Sequence, residues 1–208
     1  MSLIIKVYPL GPLQENTYLL IDEATGEKAV IDPGYFGELS VSEIGDESSL
    51  KYLMLTHGHF DHFYAANKYL DKYQGAKFII PEKDKLLAEK DWSMDLISDG
   101  YENPVCPKAD IYVNGGDKLE LGESSLEFIE TPGHTAGGCC ILSDGVIFTG
   151  DTLFRLSVGN TSFETGNWDD LIDSIKNKLY VLDDEITVYP GHGPYTNIGY
   201  EKRANPFV

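Results

Sequence analysis

Positive charge is scarce in this chain: 16 Lys and Arg stand against 34 Asp and Glu in 208 residues, a formal charge of −18 at pH 7. A protein that meets phosphates needs a positive face, so this balance argues against a nucleic-acid partner. Long apolar runs are missing too. The opening Leu3-Ile4-Ile5-Lys6-Val7-Tyr8 meets Pro9 and Pro12 too soon for a signal peptide, and nothing approaches the ~20 residues of a membrane span. A cytoplasmic protein without a membrane partner is the expectation. The three cysteines, Cys106, Cys139 and Cys140, are odd in number with two adjacent, which is no disulfide framework, and the adjacent pair falls in a predicted core strand. There is no Gly-x-Ser-x-Gly elbow, phosphate-binding P-loop or dinucleotide glycine fingerprint. No Pro/Gly/Ser-rich stretch divides the chain, so residues 1–208 read as a single domain able to bury a substantial core.

Histidine is also sparse, and its placement is what carries information. All five histidines fall in three short glycine-containing motifs: Thr56-His57-Gly58-His59-Phe60-Asp61-His62, Pro132-Gly133-His134-Thr135 and Pro190-Gly191-His192-Gly193. A fourth segment, Thr149-Gly150-Asp151-Thr152, offers a carboxylate. Each follows a short apolar run, residues 52–55, 126–129, 145–148 and 186–189, that reads as a strand. Strands sharing one direction would bring five imidazoles and two carboxylates to one edge. A lone Pro-Gly-His is ordinarily a surface or core feature; it is the dense His-x-His-x-Asp-His, joined by the others, that indicates a metal centre. Asp61 has a competing role as a helix N-cap, and Asp151 as a turn residue beside Gly150. Nitrogen and oxygen donors without thiolate suit zinc first, and also iron or manganese. Seven donors are too many for one tetrahedral ion. Two divalent ions with a bridging carboxylate and bridging solvent, roughly 3.5–4 Å apart, use all of them.

The order Thr-His-x-His-x-Asp-His, Pro-Gly-His-Thr, Gly-Asp-Thr-Leu-Phe, Pro-Gly-His-Gly-Pro resembles the metallo-β-lactamase superfamily and, within it, the small glyoxalase II-like (hydroxyacylglutathione hydrolase-like) hydrolases. The similarity runs from Gln14-Glu15-Asn16-Thr17-Tyr18 to Asn205-Pro206-Phe207. It implies an α/β fold, a four-layer αββα sandwich with the metal site at one edge of the paired sheets. It also implies the division of ligands: His57, His59 and His134 for one ion, Asp61, His62 and His192 for the other, Asp151 between them.

A water bridging two Lewis acids loses its proton near neutral pH, roughly eight to nine units below free water, and Asp61 is placed to orient it. Thioesters suit such a nucleophile because a thiolate leaves without a strong general acid. The expected substrate is a small, acceptably anionic acyl thioester. Glyoxalase II proper continues into a C-terminal helical domain that helps hold glutathione; only about fifteen residues follow Pro194, so that domain is expected to be absent. Asn160 stands where the family usually carries a basic residue. Arg155, one of two arginines, is the candidate replacement cation, with a surface ion pair as its competing role. In the segment 91–110, Trp92, Met94, Leu96 and Ile97 precede a loop with Gly100, Pro104 and Pro107 that is positioned to roof a pocket; Trp92 and Tyr101 are its candidate substrate contacts, against simple packing onto a helix. Two other classes remain open: a persulfide dioxygenase using one iron on His57, His134 and Asp151, and a non-catalytic metal-binding module, which the full ligand set disfavours.

Three elements are predicted besides the motif strands. A hairpin joins residues 18–21 to 28–31 around Ala24-Thr25-Gly26. Ala65, Ala66, Tyr69, Leu70 and Tyr73 form a helical stripe behind the first motif, its N-terminus toward the site. Residues 168–179 form the clearest helix, capped by Asn167, with Trp168, Leu171, Ile172, Ile175 and Leu179 on a core face.

Overall fold

The computed structural model describes residues 3–46, 48–92 and 101–208. The predicted Met94, Leu96, Ile97 and Gly100 of the loop segment lie outside the described residues. The first sheet is built in sequence order from β1 (Leu3–Leu10), β2 (Glu15–Asp22), β3 (Lys28–Ile31), β4 (Leu50–Met54), β5 (Lys77–Pro81) and β6 (Ile111–Val113). β1 to β3 are antiparallel neighbours, and β3 to β6 are parallel. Next come β7 (Lys118–Leu121), β8 (Ser124–Glu130), β9 (Cys139–Ser143), β10 (Val146–Gly150), a ribbon of β11 (Leu153–Phe154) and β12 (Ser157–Val158), then β13 (Thr187–Pro190) and β14 (Thr196–Asn197). The second sheet has the order β14-β13-β10-β9-β8-β7. β8 and β10 flank the antiparallel β9, and β10 and β13 are parallel, so β8, β10 and β13 share one direction. That is the arrangement the motif argument needs.

Helices cover the outer faces: α1 (Glu38–Ile44), α2 (Phe60–Phe63), α3 (Ala66–Lys72) and α4 (Lys85–Ala88) come from the first half, α5 (Trp168–Ser174) and α6 (Ile198–Ala204) from the second. Alternation along the strands assigns neighbouring residues to different layers. Leu19, Val30, Leu53 and Phe78 pack outward with Ile44, Ala66, Tyr69 and Leu87, whereas Leu20, Ile31, Met54 and Ile79 pack inward with Phe128, Ile141 and Phe148 of the second sheet. The second sheet's outer face carries Cys140, Ile147 and Val188 against Leu171, Ile175, Leu179 and Ile198. These are the four αββα layers. Each such buried aliphatic stabilises the fold by roughly 1.5–3 kcal/mol.

The hairpin pairs Tyr18 with Ile31 and Ile21 with Lys28, as predicted. Cys139 and Cys140 are buried in β9, and burial pushes the Cys140 thiol up to about 12, which makes it an unreactive core group. Two helix predictions need correction. The helix behind the first motif is split into the single turn α2 and then α3; His59 is the N-cap, and Asp61 lies inside the first turn rather than capping it. Asn167 does cap α5, accepting from the Asp169 and Asp170 amides at 2.9 and 3.2 Å, and a π-helical turn, Ile175–Leu179, continues it. Trp168, however, is 45% exposed: the core face holds Leu171, Ile175 and Leu179, and the indole sits on the rim. Among the described residues no helix is long and apolar enough to cross a membrane.

Candidate metal centre

The loop after β4 is fixed by two buried carboxylates. Asp32, directly after β3, accepts the Thr56 amide on Oδ1 and the Thr56 hydroxyl on Oδ2, both at 2.7 Å. Asp84, at the start of α4, accepts the Gly58 amide at 2.9 Å, the Thr135 hydroxyl at 2.6 Å and the Gly137 amide at 2.6 Å. It therefore ties the loop of His57 and His59 to the loop of His134. Burial raises the Asp84 carboxyl against these three donors. The His192 loop is held by β2: the Asn16 side chain donates to the carbonyls of Pro190 and Gly193 at 3.0 and 2.8 Å, and the Tyr18 hydroxyl to Pro190 at 2.6 Å. Glycines border the ligands because there is no room for more. A Cβ on Gly191 would lie 2.3 Å from Asp151 Oδ1, and Gly150 has φ +48° with Thr56 Oγ1 2.3 Å from its Cβ position.

All seven predicted donors are brought together. His57 Nε2 lies 3.2 Å from His59 Nδ1, which lies 2.8 Å from His134 Nε2. His192 Nε2 is 3.3 Å from Asp61 Oδ2, and His62 Nε2 is 3.7 Å from the same oxygen. Asp151 stands between the two groups, Oδ1 at 3.5 Å from His62 Nε2 and Oδ2 at 3.5 Å from His134 Nε2. Two trios have donor atoms mutually within 4.8 Å, namely His57, His59, His134 and Asp61, His62, His192. Two further groups meet the same condition: His57, His62 and Asp151, which overlaps both trios, and Glu15, Asp32 and His62 behind the second.

The far ring nitrogens set the tautomers. Nδ1 of His57 faces Thr56 Oγ1 at 3.1 Å, that of His62 faces Asp32 Oδ2 at 3.0 Å, that of His134 faces the Asn160 carbonyl at 2.7 Å and that of His192 the Leu13 carbonyl at 3.2 Å. Since Thr56 gives its hydroxyl hydrogen to Asp32, each of these four Nδ1 atoms is the N–H donor, which leaves Nε2 as the atom that carries the lone pair when the ring is neutral. Those lone pairs point into the cluster. His62 Nε2 and Asp151 Oδ1 are buried without any hydrogen-bond partner, an arrangement that is costly for a protein alone and is satisfied by a cation. The residues fit divalent metal ions.

Proton affinities divide the imidazoles. Burial holds His57 well below the usual range and takes His59 to about 3. For His62 burial acts in the same sense, but Asp61, Asp151 and Asp32 outweigh it and raise the group; His192 is raised by Asp61 and Asp151 against its burial. Asp61 is held low, burial being outweighed by His62 and His192.

The cluster floors a cavity of about 780 Å³ whose apolar lining is Leu13, Phe60, Leu87, Trp92 and Phe163. Trp92 is thus a lining residue, meeting the His59 ring edge-on at 5.9 Å. Tyr101 is not: it is 2% exposed and packs behind Phe60 and Tyr64. Arg155 is exposed, sits over the Tyr200 ring and is not among the lining residues, so it does not replace the family's cation there. Asn160 contributes its backbone carbonyl to His134, while its side chain accepts the Ser162 amide at 2.9 Å.

Sequence reasoning missed Asp32 and Asp84, and it did not single out Lys90 and Glu164, which also line the cavity. Asp32 carried a readable signal, since a carboxylate after an apolar run with a glycine close by is also the context of Asp151. Asp84 has no local signal; its partners are 26 to 53 residues away. Glu15 is a further buried carboxylate, with Oε1 4.0 Å from His62 Nδ1 and without a hydrogen bond, and burial raises it well above the usual range.

An αββα sandwich with a histidine and aspartate cluster at the ends of both sheets is the fold of metal-dependent hydrolases. Residues 10–192 match the Metallo-beta-lactamase superfamily model, and the chain belongs to that superfamily. A Haemophilus influenzae protein named hydroxyacylglutathione hydrolase GloC is 36% identical over 213 residues, covering 98% of this chain and 97% of the relative. Among solved structures, BLEG-1 B3 metallo-beta-lactamase matches with TM-score 0.88 and 31% identity over 98% of this chain and 99% of that one. TTHA1623 in a di-iron-bound form gives 0.86 and 31% over 98% and 100%, and ETHE1 from Myxococcus xanthus 0.76 and 29% over 98% and 83%.

Proposed function

We propose that the protein hydrolyses small-molecule acyl thioesters in the manner of glyoxalase II, with two divalent ions held by His57, His59 and His134, by Asp61, His62 and His192, and by Asp151 between them. The observation that carries this reading is the inward convergence of imidazole lone pairs, fixed by hydrogen bonds on their far nitrogens, at the floor of an apolar cavity. Divalent ions supply Lewis acidity there and bring the pKa of a water to roughly 7. Asp61, held ionised, accepts a hydrogen of the attacking water and directs its lone pair toward the acyl carbon. Leu13, Phe60, Leu87, Trp92 and Phe163 hold the substrate and exclude bulk water. The thiolate leaves without a general acid. The GloC relative supports the substrate class.

The test is hydrolysis of S-lactoylglutathione and shorter acyl thioesters by metal-replete protein, abolished by chelation and restored by zinc, iron or manganese. Turnover of none of them would overturn the proposal. A second reading is persulfide oxidation with one iron on His57, His134 and Asp151; nitrogen and oxygen donors suit iron, and the similar TTHA1623 is known in an iron-bound form, though with two ions. Oxygen uptake on a glutathione persulfide without thioester hydrolysis would establish it instead.

A further inference from the structure

The cavity lining narrows the substrate class within the thioesterase reading, on which this inference rests. One wall follows α4 and carries Leu87, Lys90 and Trp92; the facing wall is the loop after β12, with Phe163 and Glu164. Lys90 Nζ lies 3.8 Å from the centroid of the Trp92 ring and 2.9 Å from Glu164 Oε2. Trp92 and Phe163 both meet the His59 ring edge-on, at 5.9 and 5.5 Å. Lys90 is therefore two ring contacts from the candidate metal ligands, and among the described residues it is the only lysine or arginine in the lining. The pair is asymmetric: the Lys90 side chain is 26% exposed and packed on an indole, whereas Glu164 is 66% exposed. A stacked ammonium keeps its place. An exposed carboxylate facing it is weakly held and exchanges readily.

We propose that Lys90 selects thioesters bearing a single carboxylate a few bonds from the acyl–sulfur bond, and that Glu164 is the competing carboxylate such a substrate displaces. Trp92 and Phe163 flank the arm between the reacting carbon and that carboxylate. The carboxylate arrives on either of two sources, the acyl arm, as in a half-thioester of a dicarboxylic acid, or the thiol arm, as in an acyl thioester of a mercapto acid. A phosphorylated thiol carrier finds no further cationic side chain among the described residues of the lining.

Two matched substrate pairs test this, each a carboxylate thioester and its carboxamide, with the group on the acyl arm in one pair and on the thiol arm in the other. The wild-type protein should show a KM about tenfold lower for the carboxylate member of one pair, the value of a charge-assisted contact. Lys90→Gln should bring that ratio to about one, Glu164→Gln should increase it, and rising salt should shrink it. A ratio unchanged in Lys90→Gln, or lowered in Glu164→Gln, overturns the assignment. If no form turns over any thioester, the thioesterase reading fails, and the Lys90 assignment is then read from calorimetric binding of 3-mercaptopropionate and its amide to metal-loaded protein. A preference for the acid that Lys90→Gln abolishes supports it; equal affinities overturn it. Melting curves of both variants verify that they fold.

Discussion

The two halves of the donor cluster are built to opposite electrostatic plans. His57, His59 and His134 form an all-imidazole trio in which burial keeps His57 and His59 neutral. The other trio mixes His62 and His192 with Asp61 and stands beside Asp151; Asp61 and Asp151 raise the proton affinity of both imidazoles against their burial, and Asp32 raises that of His62 as well. Carboxylates that attract a divalent cation also attract protons. His57 and His59 therefore offer lone pairs at once, whereas a cation entering the second trio must displace protons.

The largest expected effect comes from removing what joins the halves. Asp151→Ala should lower turnover by roughly 10²–10³-fold or more, the scale of losing one electrostatic stabiliser, and should deplete metal from both positions, while His192→Ala mainly empties one. Metal counts on the two variants check this, and full retention of two ions in Asp151→Ala would remove the bridge from the account. Asp61→Asn should come next, with turnover reduced more than KM is raised, because Asp61 faces the nucleophile rather than the leaving arm; steady-state kinetics with an unchanged kcat would contradict it.

The comparison has a pH signature. As pH falls through the raised values of His62 and His192 their trio takes up protons, and its apparent metal affinity drops about tenfold per pH unit for each proton displaced. His59, held near 3, stays unprotonated over that range, and so does His57. Dialysis from pH 8 to pH 5 should thus release one ion before the other, as followed by metal analysis; simultaneous loss would break the distinction.

Among the described residues, the Asp84 carboxylate takes its hydrogen bonds from Gly58, Thr135 and Gly137, next to His57, His59 and His134. Asp84→Ala leaves buried donors unpaired at roughly 1–3 kcal/mol each, so it should lower Tm by several degrees and weaken the first ion before the second. Smallest of all, Arg155→Ala should change KM for thioesters less than about twofold, because a residue outside a binding contact contributes within about 0.5 kcal/mol.

The fold and the convergence of the seven side chains were legible because each motif is local and follows its own strand. Position in sequence then translates directly into position at a sheet edge. Asp84 was not legible, since its role exists only after β5 and the loop after β8 meet. Trp168 misled because a helical stripe does not say where the neighbouring layer ends. Arg155 misled because scarcity of a residue type marks it for attention without placing it.

The most direct measurement is thioester hydrolysis during titration of metal-free protein with zinc, manganese or ferrous iron, with bound metal counted at each step. A working two-ion cluster predicts little activity up to one equivalent per chain and a steep rise to a plateau at two. Full activity at one equivalent, or two bound ions with no hydrolysis of any thioester, would contradict it.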